Sequence, residues 1–161
     1  MNHEDQESPL VRCALSLSQS LANSLESYSR LLGLEKEQQS LIETGDLEGA
    51  ATRIAQKQEL LAAIQTADQH LQEEYKAWLE VRSMAPENLR ERLQEQVDNL
   101  QKVISEILVI QKSNEENLHH HADEIGQKLK EIQQRRTAHR GYQQRAAQDA
   151  YGKSRYYDKN S

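Results

Sequence analysis

Three consecutive histidines, His119, His120 and His121, are the first residues in this chain whose chemistry suggests a site. Imidazoles ligate metals, but successive residues on a helix point about 100° apart and cannot converge on one ion. Glu116 and Glu124 stand four residues either side of His120, so a weak surface site is conceivable, yet a solvated helix face explains the cluster better. The chain has one cysteine, Cys13, which excludes an internal disulfide and reads as an idle or buried thiol. There is no Gly-rich phosphate loop, no nucleophile elbow and no His-Glu-x-x-His pattern. The many carboxylates fall on faces exposed to water, where little would move their pKa toward catalytic work. The expectation is a protein that is not an enzyme and holds no metal.

The remaining chemistry is that of surfaces. Residues 127–161 carry nine Lys/Arg against three Asp/Glu, whereas the rest of the chain is strongly acidic and the net charge is −6. Four of the six tyrosines, Tyr142, Tyr151, Tyr156 and Tyr157, lie in that basic stretch. Basic residues interleaved with rings can stack on nucleobases, but no nucleic-acid motif accompanies them. An exposed arm that binds a protein partner, or a solvated extension, fits better.

The elements that would carry these residues are helices. Of 161 residues 36 % are hydrophobic and 29 % charged, with no Phe, one Trp and two Pro. The apolar residues are mostly Leu and Ile, which suits narrow helix–helix seams rather than a thick core. No apolar run approaches the roughly 20 residues of a membrane span. Met1 to Glu7 is acidic and polar, unlike a signal region, so a cytoplasmic location is expected.

The strongest punctuation is Gly45-Asp46. Gly can take the left-handed conformation that closes a helix, and Asp can cap the next one at once. A stop and a start with nothing between them predict an antiparallel hairpin. One helix spans about residues 8–44, opened by Ser8-Pro9 and weakened by serines at 16, 18, 20, 24, 27 and 29. The second spans about 46–83, with Leu47, Ile54, Leu61, Ile64 and Leu71 expected in its seam. A third begins at Pro86 and keeps an apolar period through Leu118, Ile125, Leu129 and Ile132 to about residue 140.

At 1.5 Å per residue the third helix would exceed the first two by roughly 20 Å. It would draw level with Gly45 near residue 124, leaving Ile125, Leu129 and Ile132 without a neighbour. The alternative is a break around Ser113–Asn117, with the last part folding back as a fourth helix. No Pro or Gly marks a turn there, so the overhang is favoured. The expected architecture is therefore all-α: an elongated antiparallel three-helix bundle over residues 1–140, with a partly ordered basic tail at 141–161. Leu118, Ile125, Leu129, Ile132 and Tyr142, joined by Tyr151, Tyr156 and Tyr157, are the expected partner-binding residues. An unfilled apolar stripe needs an occupant, and a helix-in-groove contact would supply one. Self-association through the third helix, making the protein a scaffold or homodimer, is the competing reading.

A leucine-rich first helix leads into Leu34-Glu35-Lys36-Glu37-Gln38-Gln39-Ser40-Leu41-Ile42-Glu43-Thr44-Gly45-Asp46-Leu47-Glu48. Ala55-Gln56-Lys57-Gln58-Glu59-Leu60-Leu61 follows, then the long third helix and a tail with Tyr151 and Tyr156-Tyr157-Asp158. From about residue 15 onward this order of parts resembles the FlgN family of flagellar export chaperones. The resemblance implies a cytoplasmic helical chaperone without cofactor. Its clients would be the C-terminal helical segments of hook–filament junction proteins (FlgK and FlgL type), delivered to the flagellar export gate.

Overall fold

The computed structural model describes residues 8–157, with side chains described as far as residue 147. Helix α1 spans Pro9–Glu43 and α2 spans Leu47–Val81. A 3-10 turn at Arg82–Met84 leads into α3, Glu87–His120, and α4 follows over Ala122–Tyr157. The described residues thus form four α-helices, not three. α2 and α3 lie along α1, and α4 packs mainly on α2.

The hinge is built from its residues as local chemistry requires. Gly45 has φ 81°. Its N–H donates to the Ile42 carbonyl at 3.1 Å, and the Asp46 N–H reaches back to the Leu41 carbonyl at 2.8 Å. These two bonds form a Schellman closure of α1. Asp46 Oδ1 then accepts from the Gly49 N–H at 2.9 Å and caps α2. A Cβ on Gly49 would lie 2.6 Å from Asp46 Oδ2, so the bare backbone there leaves the capping carboxylate its place.

α1 and α2 run antiparallel, α1 and α3 parallel, and polar side chains fix both registers. Ser16 and Ser20 donate to the two oxygens of Glu74 at 2.7 and 2.6 Å. Ser18 donates to Gln96 at 2.9 Å, and Gln96 returns a bond to the Ser18 carbonyl. Three of the serines that weaken α1 as an isolated helix, Ser16, Ser18 and Ser20, therefore bond across its seams. Three apolar clusters follow one another along the bundle. One, near the α2–α3 turn, gathers Leu17, Leu21, Trp78, Leu93 and Leu100. A middle one holds Leu31, Ile64 and Ile107, and the hinge end holds Ile42, Ala50, Ala51, Ile54 and Ile125.

Two expectations change. α3 does not overhang: the helix breaks at His121, beyond the Ser113–Asn117 run, and α4 is seated against α2. Apolar burial decides it, because an overhang would leave Ile125, Leu129 and Ile132 in water. Leu61 leaves the seam as well, at 42 % exposed, while Ile54 and Ile64 are buried and Leu47 and Leu71 are partly buried. α2 presents only part of its circumference to its neighbours, and Leu61 stands off that arc.

In chemical denaturation, Ile64→Ala should cost about 2–5 kcal/mol and Leu61→Ala about 1 kcal/mol or less. Gly45→Val should cost at least about 1–2 kcal/mol, since it forces a β-branched residue into positive φ. Equal losses at Ile64 and Leu61 would contradict this packing.

Tyr28 donates its hydroxyl to Asp68 Oδ2 at 2.6 Å. Burial, and then Asp68 as acceptor and neighbouring charge, push the Tyr28 pKa well up from its ordinary 10.0. The folded state therefore favours the neutral phenol. Its stabilising contribution is complete below pH 10 and is lost as pH climbs above that. The stability advantage of the wild type over Tyr28→Phe should be constant near neutrality and shrink above pH 10 in urea titrations at stepped pH. An advantage that grows with pH would contradict the assignment.

Candidate partner-binding site

The hinge end is where the chain brings its expected site residues together. Helix α1 contributes Ile42, and the first turns of α2 contribute Ala50, Ala51 and Ile54, forming a seat for α4. The two alanines are buried and keep this wall low. Ile125 is 1 % exposed in the seat, with Leu118, Leu129 and Ile132 packed around it. α4 leaves the hinge and runs along α2 as far as Glu59, whose carboxylate accepts from Arg136 at 2.6 Å.

This corrects the geometry expected of the site. Leu118, Ile125, Leu129 and Ile132 do share one surface, but the chain itself fills it. Tyr142 stands apart on α4 at 77 % exposed. The α4 backbone remains helical through Tyr151, Tyr156 and Tyr157, whose side chains lie outside the described residues. Of the histidines, His119 and His120 are exposed and His121 is the residue at which α3 ends. Among the described residues no three His, Cys, Asp or Glu side chains are grouped as a metal site requires. Burial and, less strongly, the nearby Glu74 push the Cys13 thiol pKa up, which disfavours the nucleophilic thiolate.

Sequence reasoning missed the polar layer beneath the seat. Glu35 on α1 is buried and accepts from Lys57 Nζ on α2 at 2.7 Å. Its other carboxylate oxygen accepts from Asn114 Nδ2 on α3 at 2.6 Å. The same amide also donates to the Glu35 carbonyl at 2.9 Å. One turn on, Gln38 is 0 % exposed, and neither end of its amide has a partner. Asn114 Oδ1 is unpaired too. The signal available in the sequence was Glu35 and Gln38 at core positions of α1's apolar period. Sequence reasoning also passed over Leu108 and Val109, exposed side by side on α3 at 59 % and 72 %.

The fold and this site define a class: an all-α protein in which an amphipathic fourth helix is seated on a helical hairpin. No helix among the described residues is long and apolar enough to cross a membrane. A family model described as FlgN protein matches residues 15–150, and the chain belongs to the FlgN family of flagellar export chaperones. No curated protein and no solved structure matches the chain.

Lys57→Met removes one partner of the buried Glu35 carboxylate and should cost about 3–5 kcal/mol. Gln38→Leu replaces two unpaired buried polar atoms with methyl groups of similar volume and should stabilise the fold by about 1 kcal/mol or more. Urea unfolding of both variants checks the layer. A destabilised Gln38→Leu would mean that the amide is satisfied.

Proposed function

We propose that this protein is a cytoplasmic export chaperone for hook–filament junction proteins of the FlgK and FlgL type. It binds their C-terminal helical segments, holds them apart before assembly, and delivers them to the flagellar export gate. Membership of the FlgN family carries this reading. The physical support is the amphipathic face of α4. Ile125, Leu129 and Ile132 form an apolar stripe at helical spacing, and an amphipathic client segment needs such a stripe to cover its own.

Client docking on that stripe requires α4 to leave its seat, since Ile125 is buried there. The exposed Glu59–Arg136 pair that closes the far end is worth little in water. Beyond Ile132 the side chains described are mostly exposed and include Arg135, Arg140, Tyr142 and Arg145. Their charge steers acidic segments toward α4, and Tyr142, together with Tyr151, Tyr156 and Tyr157, supplies flat rings that add contact area at low entropic cost.

Calorimetry with a junction-protein C-terminal peptide tests the proposal. The parent chain should bind it with weak dependence on salt, since few ions are released from an apolar contact. Ile125→Asp combined with Leu129→Asp should abolish binding while circular dichroism stays close to native, because α1, α2 and α3 retain their seams. A chain ending at Gly141 should bind more weakly. No binding by the parent would refute the function, whereas full binding by the double variant would refute only its placement on α4.

A further inference from the structure

The bend between α3 and α4 rests on a single residue. His121 is the one residue between the two helices, and its φ −118° and ψ 18° lie outside helical values. Its N–H donates to the Leu118 carbonyl at 3.1 Å, and its own carbonyl accepts from the Ile125 N–H at 3.0 Å. One helix thus ends and the next begins without a linker. Nothing at the joint enforces the bend: His121 is neither Gly nor Pro, its φ is negative, and the helical region is open to it. What holds α4 back is the seat formed by Ile42, Ala50, Ala51 and Ile54, with the Glu59–Arg136 contact at its far edge.

If residue 121 becomes helical, α3 and α4 join into one helix from Glu87 to Tyr157, on the order of 105 Å long. Leu118, Ile125, Leu129 and Ile132, spaced seven, four and three apart, then stay on one stripe. Straightening bares that stripe and the seat together. The surface complementary to each is then present on any second copy.

We propose that His121 is an exchange joint, through which two copies form a dimer with each α4 seated on the other's hairpin. Direction permits it. In the bent chain α4 runs from the hinge along α2 toward the body. Two straightened copies placed hinge to hinge about a two-fold axis send each α4 along the partner's α2 in that same sense. Every contact of the bent chain then recurs between copies, and residue 121 is the main local difference. Exchange of an identical element is a low-cost route to a dimer. This inference concerns the joint and does not depend on which client the protein carries.

The test uses the full chain with His121→Ala and His121→Gly. Ala favours the helical joint over Gly by about fivefold. A dimer contains two joints, so the dimerisation constants should differ by about twenty-five-fold. Light scattering across a concentration series gives both constants, and the parent chain should fall between them. Identity of the dimer comes from Glu59→Cys with Arg136→Cys in a Cys13→Ser background, equilibrated as a mixture of nitrogen-15-labelled and unlabelled chains and then cross-linked. Exchange predicts cross-links joining a labelled residue 59 to an unlabelled residue 136. The proposal is overturned if the parent and both variants remain monomers at the highest concentrations reached. It is equally overturned if the dimers carry only cross-links within one chain, or if Ala and Gly dimerise alike.

Discussion

At the hinge end one carboxylate ties three helices together, adding to the register that the serine bonds to Glu74 and Gln96 set at the other end. Glu35 lies out of water where α1, α2 and α3 meet, and one oxygen is held by Lys57 and the other by Asn114. An ion taken from water is tolerated only where its partners are in place. Sliding α2 or α3 by one residue would strand the charge. Leu and Ile seams accept shifted pairings far more readily, so a buried pair of this kind sets register more than it adds stability. The consequence travels along α3. With Asn114 fixed beside Glu35, the helix arrives at the hinge as it reaches His121. Ile125 then meets Ala50 and Ala51.

Much of this could be read from the residues, where the chemistry is local. Gly45 and Asp46 specify a helix end and a helix start by backbone conformation and capping alone, and the structure has both within one residue of the expected bounds. The buried Leu17, Leu21, Ile64, Leu93, Leu100 and Ile107 follow the apolar period. The break at His121 was not legible, because no residue there demands it. It is decided by distant surfaces: the low wall of Ala50 and Ala51, and the cost of leaving Ile125 in water. Small residues near a helix start carry no signal until the partner that needs the space is known. Asn114 pointed to the alternative with a fourth helix, which the structure has, but the break falls seven residues later, at His121. The low helix propensity of Asn114 marks a weak point in isolation, whereas here its amide bonds Glu35.

The same contrast applies to the candidate site. Leu118, Ile125, Leu129 and Ile132 were identifiable as one stripe from spacing, and they do form one surface. That the surface is already filled could not be read from spacing, since periodicity states which residues share a face and not what covers it. For an export chaperone a covered stripe has physical sense. A bare one would be an aggregation hazard, while a helix seated on its own hairpin keeps the protein harmless between clients.

The one-residue joint at His121 also sets a threshold. A segment tethered so closely to its seat acts at an effective concentration of roughly millimolar or more. Under the docking proposed above, a client helix present at micromolar concentration must bind the stripe about a thousandfold more tightly than the seat does before it prevails. Weakly apolar helices, common in any cell, fall below that limit and are ignored. On that proposal selectivity comes from the competitor the chain carries within itself, and the length of the joint, rather than the shape of the groove, sets how strict it is.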